Sequence, residues 1–246
     1  ALNGVPRDRY ILATKFHAVP KTGLITPDQL VESVENSLRR LQVDEVEVMQ
    51  FHGLDPPDYR DAVDTLLPTV LKLQEQGKLL HIGASETYSR DPRHEMFPMA
   101  LQEDWMDTAM VGYNLMSPTA EQVILPGCLK KNVGVICMVA VRRALSRPEL
   151  LEERIADAKS KGLIAEDAVS DEDPLGWLIS DEVKTLPAAG YKFAAMNPAI
   201  HTVLSGTANI EHLDANVEAI LGPPLSSKHR EHLRQIFGEV WEPIAN

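Results

Sequence analysis

Two short stretches place a chemically active side chain where an apolar run stops. In "ILATKFHAVP", residues 11–20, Lys15 follows Ile11, Leu12, Ala13 and Thr14; in "VEVMQFHGLDP", His52 closes a second run. Taken singly, each has an ordinary explanation: a strand-end lysine snorkels to water, and a histidine can be satisfied beneath a proline loop. Two cation-capable groups that end neighbouring strands and face one mouth are harder to explain by packing. The pair suits carbonyl chemistry. When hydride reaches a carbonyl carbon, negative charge grows on oxygen, and the site must donate a hydrogen bond or a proton there. A neutral histidine can orient the carbonyl, while a lysine lowers the pKa of a neighbouring proton donor. The remaining strand-end residues are Ser85, Asn114 and the run Ser205-Gly206-Thr207, none of them the phenol that usually serves as donor.

The elements that must position this pair alternate along the chain. Strands are predicted at Tyr10–Thr14, Val46–Phe51, His81–Ala84, Thr108–Tyr113, Gly134–Met138 and Thr202–Leu204. Helical spacing is predicted over Pro27–Leu41, Tyr59–Gln76, Thr119–Lys131, Leu175–Met196 and Ile210–Leu221. Arg147–Gly162 is helical in character within an excursion after the fifth strand, and Ser226–Val240 reads as an amphipathic helix outside the main unit. The first helix is the clearest: Thr26 is a good N-cap, Pro27 suits the first turn, and Leu30, Val34, Ser37, Leu38 and Leu41 fall on one face. Pro56 and Pro57 are expected to break the chain before the next helix, and Gly77 to follow that helix's end. Strand–helix alternation implies a parallel sheet. No G-x-G-x-x-G follows the first strand, so a dinucleotide-binding open sheet lacks its phosphate loop, and a barrel is preferred.

Composition narrows the function classes. The 246 residues carry a formal charge of −12, which argues against nucleic acid as partner. The two cysteines, Cys128 and Cys137, are too few for a disulfide framework and point to a reducing, cytoplasmic setting. No apolar run approaches the ~20 residues that span a bilayer.

Four stretches then share one resemblance. "RYILATKFH", "SVENSLRRLQVDEVEVMQFHGLD", "LQEQGKLLHIGASE" and "AIHTVLSGTANIEHLDANVEAIL" resemble the aldo-keto reductase family, in the same order and at similar spacing. The resemblance covers almost the whole chain. It implies a (β/α)8 TIM-barrel type fold, as a single domain over residues 1–246, and reduction of aldehydes or ketones to alcohols with NADPH or NADH. Lys15 and His52 match the lysine and histidine of the family's catalytic tetrad. The tetrad's aspartate and tyrosine lie, in the family, upstream of the lysine strand. The expectation is therefore an N-terminally incomplete barrel: six strand–helix units plus a C-terminal helix, with two units of about 30 residues each preceding Ala1. Six strands cannot close the eight-stranded cylinder.

The cofactor positions implied by the resemblance are mixed. Ser85 matches the serine placed against the nicotinamide carboxamide, but Glu86 stands where an asparagine usually follows. Met110 replaces a glutamine, and Met138 replaces the aromatic residue that stacks on the ring; both also suit simple core filling. At the adenine end Gly206, Thr207, Asn209 and Asn216 are kept, and backbone N–H groups at the start of that helix can hold a phosphate. Gly206 and His212 stand where many members carry a lysine and an arginine for the 2′-phosphate, which weakens the preference for NADPH over NADH. Arg143, with Arg142 beside it, matches the loop over the pyrophosphate. No metal site is expected, and the partner is a small-molecule carbonyl substrate. A second reading is a catalytically inactive binding or regulatory protein, supported by Glu86, Met110, Met138 and Gly206.

Overall fold

Short β-rich runs bounded by turn residues become six parallel strands. The computed structural model describes Leu2 and residues 4–245, and within these β1 (Ala13–Phe16), β2 (Val46–Phe51), β3 (Leu79–Ser85), β4 (Thr108–Gly112), β5 (Gly134–Met138) and β6 (Thr202–Val203) lie in sequence order in one open sheet. The predicted β2 and β5 coincide with the observed strands. The first strand starts and ends later than expected, at Ala13–Phe16 in place of Tyr10–Thr14, so Lys15 lies within it and not past its end. The Leu12 N–H is taken by the Glu47 carboxylate at 2.7 Å, and the ladder to β2 begins only at Ala13, opposite Val48.

The chain divides into two compact units. The first runs to Asp91 and resumes over Glu95–Met110; the second comprises Pro92–His94 and the chain from Val111 onward.

In the first unit, α1 (Pro27–Leu41) follows β1. Thr26 and Gln29 cap it reciprocally: Thr26 Oγ1 accepts from the Gln29 N–H at 3.3 Å and Gln29 Oε1 from the Thr26 N–H at 2.9 Å. Leu30, Val34 and Leu38 are buried as the spacing predicts, whereas Leu41, in the last turn, is exposed. The helix ends at Gln42, in the left-handed conformation. α2 (Pro56–Glu75) starts earlier than predicted. Pro56 and Pro57 form its first turn instead of breaking the chain, because a helix's first N–H groups have no partner to lose. Past its end Gly77 takes a φ of +74°, donating to Gln74 O at 2.9 Å while Lys78 donates to Leu73 O at 3.0 Å. The short α3 (Met96–Ala100) follows β3.

In the second unit, the predicted helix over Thr119–Lys131 is two helices, α4 (Ala120–Val123) and α5 (Leu125–Lys131). Pro126 lacks the N–H that would continue the ladder, so the helix restarts there. After β5 come α6 (Pro148–Ser160), a short 3₁₀ turn at Gly176–Leu178, α7 (Leu186–Ala195), β6, α8 (Ile210–Leu221) and α9 (Ser227–Phe237). The predicted Leu175–Met196 helix is thus a 3₁₀ turn and then α7, whose start is set by the Thr185 cap and Pro187. Tyr113 anchors this core. Its ring stacks on Phe193 at 5.2 Å, its hydroxyl donates to Glu121, and Arg234 of α9 reaches the same carboxylate at 2.6 Å.

One glycine in the first unit is fixed by its neighbours. In register, Lys15 lies opposite Gln50, Gln50 opposite Gly83, and Gly83 opposite Thr108. Gln50 Nε2 reaches across Gly83 to Thr108 Oγ1 at 3.2 Å; a Cβ on Gly83 would stand 2.1 Å from that oxygen and 2.4 Å from the Thr108 carbonyl oxygen. Gly206, by contrast, has open space at its Cβ position. Gly83→Ala should lower unfolding free energy by about 1–3 kcal/mol in urea titrations, while Gly206→Ala should change it by no more than about 0.5 kcal/mol. Equal effects at both positions would show that the Gln50–Thr108 crossing does not constrain the sheet.

Candidate active site

β1 and β2 bring the two sequence-selected residues to one strand end. The His52 N–H donates to Phe16 O at 2.9 Å, so His52 continues the ladder one step beyond β2. Lys15 is half-buried, and its Nζ lies 3.1 Å from Met110 Sδ. Among the described residues no carboxylate pairs with it. Burial without a counter-charge lowers the pKa of the ammonium. His52 is exposed, yet its pKa falls to about 4, first through desolvation by the surrounding atoms and then through His17 and Lys15. The imidazole is therefore neutral at neutral pH, able to donate a hydrogen bond without carrying charge.

The third member of this corner is a residue the sequence did not single out. His17 Nε2 lies 2.9 Å from His52 Nδ1, and the ring centroids are 4.1 Å apart. Strand alternation was the signal available: His17 is two residues beyond Lys15 and so shares its face. Lys15 and His17 also line a hollow of about 420 Å³ beside α1, together with Gln29, Glu32 and Arg40.

Ser85 is buried at the end of β3, but its hydroxyl oxygen accepts from the Gly53 N–H at 2.9 Å. It ties the loop after β2, and its hydroxyl donates to Phe51 O at 3.5 Å. Glu86 is buried, with its N–H directed at Met110 O at 3.4 Å.

The second unit holds the other predicted residues around a cavity of about 880 Å³, a size usual for small-molecule and cofactor sites. Arg143, Gly206, Thr207 and Asn216 line it; Asn209 does not. The lining also includes Arg142, Arg147 and His212, and it contains no Asp or Glu. In a chain of net charge −12, three arginines without a carboxylate mark a place for an anion. Arg147 was missed because it sits among the exposed-looking residues that open α6. Val139, in the same wall, has a φ of +59°, a strained conformation for a β-branched residue.

The start of α8 is less available to a phosphate than expected. Asn209 Oδ1 already accepts from the Glu211 and His212 N–H groups, at 2.8 and 3.4 Å, and Thr207 Oγ1 takes the Asn209 N–H at 3.1 Å. Asn216 Nδ2 and the Tyr191 hydroxyl both donate to Ser205 Oγ, at 2.9 and 3.2 Å, which fixes the loop after β6. Asn209, Thr207 and Asn216 thus shape the loop, and the arginines supply the charge. Neither Tyr88 nor Tyr113 is a free phenol for the Lys15 corner: both are buried, and Tyr113 is bonded to Glu121, which with burial pushes its pKa well up. Among the described residues no group of three His, Cys, Asp or Glu could hold a metal. No described helix is long and apolar enough to cross a membrane.

The Aldo/keto reductase family profile matches residues 1–237, and the chain belongs to that family. L-galactose dehydrogenase of Arabidopsis thaliana is 23% identical over 262 aligned positions, covering 98% of this chain and 73% of that protein. Among solved structures, the apo form of aldo-keto reductase AKR11C1 from Bacillus halodurans superposes with a TM-score of 0.70 at 22% identity, over 100% of this chain and 77% of the other. Its holo form gives 0.69 at 20% identity, over 100% and 78%. An aldo/keto reductase from Klebsiella pneumoniae, in complex with NADP and acetate, gives 0.62 at 22% identity, over 96% and 72%. The six-stranded parallel sheet is thus the partial (β/α)8 barrel that the sequence implied, and the family is one of oxidoreductases.

The state of His52 is directly measurable. Its ordinary pKa of 6.5 drops to about 4 in the folded chain. Between those values the unfolded chain binds the proton and the folded chain does not, so this residue's contribution to stability is lost as pH falls from about 6.5 toward 4. A histidine ¹H–¹⁵N titration should find His52 neutral through the range where ordinary histidines charge. A midpoint at the ordinary value would show that desolvation, His17 and Lys15 do not act on the ring.

Proposed function

We propose that the protein is a reductase of aldehydes or ketones that uses NADPH or NADH, with Lys15 and His52 acting at the carbonyl oxygen. The observation that carries this reading is the corner where β1 and β2 end: Lys15 and His52 share one face, and His52 Nδ1 meets His17 Nε2 at 2.9 Å. His52 presents a donor to the carbonyl oxygen, and Lys15 lowers the pKa of the group that donates the proton there. The proton donor in this reading is a phenol, as the family resemblance implies. Arg143, flanked by Arg142 and Arg147, would hold the cofactor's phosphates, with Gly206, Thr207 and Asn216 shaping the adenine end. Asn209 supports that end as the cap of α8, and Ser85 would lie against the carboxamide. Bound, the nicotinamide would supply the hydride. The residues fit such a group: the cavity is large enough, cationic and free of carboxylates. That the Klebsiella relative was solved with NADP supports the same choice. The two cysteines are free and buried, with thiols pushed up to about 12, which suits a reducing, cytoplasmic setting.

A second reading, a non-catalytic nucleotide-binding protein, is favoured by one pair of observations: Lys15 faces a thioether, and the Ser85 oxygen is engaged by Gly53. Fluorescence titration with NADPH, followed by absorbance assays on a panel of aldehydes and ketones, separates the two. The reductase reading expects both binding and turnover, with His52→Ala lowering kcat/KM by about 100-fold or more. Binding without turnover selects the second reading, and no binding sinks both.

Cofactor choice gives an independent check. A Cβ added at Gly206 would meet nothing within 4 Å. Gly206→Lys should improve NADPH affinity relative to NADH by roughly 10- to 100-fold, the worth of one charge-assisted hydrogen bond. An unchanged ratio would mean that Gly206 does not face the 2′-phosphate.

A further inference from the structure

The His17–His52 contact is unexplained by packing alone. His17 is exposed, and the His52 ring is its side chain's one hydrogen-bond partner among the described residues. An N···N separation of 2.9 Å is hydrogen-bond length, so one proton lies between the rings. Two protons there would oppose each other, and none would set lone pair against lone pair.

We propose that His17 is a positioning residue: its Nε2–H donates to His52 Nδ1 and holds the His52 ring with its own Nε2–H turned outward as the donor. This deepens the reductase reading, and rests on it for what that outward donor meets.

The choice between the two proton placements follows from which nitrogens touch. A neutral histidine side chain in water favours the tautomer with its proton on Nε2. With both rings in that form, His17 brings a donor and His52 an acceptor to the contact, as the geometry requires. The reverse placement would need both rings in the less favoured form. Among the described residues no protein group takes His52 Nε2, so a proton placed there is free for a ligand. The charged and titratable groups facing His52 are Lys15 from β1 and His17 just beyond it; no carboxylate acts on the ring. Nothing therefore draws a second proton onto the pair at neutral pH. The backbone bond from His52 N to Phe16 O and the tilted ring contact, at 41° between planes, restrict the ring further. In neutral histidine the proton on one nitrogen is decided by what the other nitrogen bonds. Here that second partner is one strand away.

The test reads tautomers first and rates second. Long-range ¹H–¹⁵N spectra of histidine-labelled protein at neutral pH should show His52 protonated on Nε2 and bare on Nδ1. In His17→Phe the donor is gone, and the fraction of His52 protonated on Nδ1 should rise measurably above that of the wild type. In the carbonyl-reduction assay that variant should lose about tenfold in kcat with KM little changed, the scale typical of removing an orienting partner. His17→Gln, whose amide N–H₂ can donate to the same nitrogen, should restore the single tautomer and most of kcat. Wild-type His52 protonated on Nδ1, or an unchanged tautomer in a folded His17→Phe, would overturn the proposal. The spectra need no turnover: wild-type protein that shows the expected tautomer but reduces no carbonyl keeps the His17 assignment and removes the reductase reading instead.

Discussion

The parallel register of the first strands is the constraint on which the candidate site depends. It sets Lys15 opposite Gln50, Gln50 opposite Gly83 and Gly83 opposite Thr108, so one row of side chains crosses four strands. A slip of one residue in any strand would turn its members to the other face. The row closes because its third member has no side chain. Gln50 spans the gap at Gly83 to bond Thr108, and with β3 and β4 held in that register Met110 falls opposite Ser85, where its sulfur meets Lys15. The same pairing aligns the ends of β1 and β2, so His52 bonds Phe16 and its ring meets His17. The chemistry-bearing corner is a consequence of backbone pairing first and of side-chain contacts second.

Charge is distributed in two contrasting ways on this acidic chain. On the outside, carboxylates are numerous and their pairs are mostly exposed, as with Arg60 and Asp64, where solvent leaves them little worth. Inside the second unit's cavity there are three arginines and no carboxylate. Within β1, Lys15 meets Met110 Sδ at 3.1 Å and shares a hollow with Glu32 and Arg40. In the proposed reading, the field of the cavity's arginines attracts the cofactor's phosphates.

The sequence made the strands and capped helices readable because their signals are local. β2 and β5 are apolar runs with sharp ends, and α1 carries its cap, its proline and its buried stripe within one window. The misreadings are also local in cause: Pro126 divides a helix whose apolar spacing continues, and prolines at the start of α2 support a helix instead of stopping one. Lys15 and His52 were legible because a polar residue ending an apolar run is visible without a partner. What was not legible needs a second strand. Nothing near Ser85 in sequence announces that Gly53 occupies its oxygen, and nothing near Asn209 separates capping its own helix from binding a phosphate until the N–H groups are counted. His17 lay within reach of alternation, yet its meaning appears only when His52 lies beside it.

The arrangement at the β1 end is a poor one for the protein at rest, and that bears on what it can do. A half-buried ammonium bonded to a thioether has given up water for a weak acceptor. On the same row, Gln50 Oε1 is buried without a hydrogen-bond partner among the described residues. Groups that were fully satisfied in the resting state would gain nothing from charge arriving later. An enzyme accelerates a step only through interactions that are stronger in the transition state than before it. In the proposed reading, charge that develops on a carbonyl oxygen is met by the His52 donor, and Lys15 lowers the pKa of the group that supplies the proton. In the proposed reading, Lys15 within β1 and His52 just past β2 share one face, and that pairing, more than either residue alone, separates a site from a surface lysine.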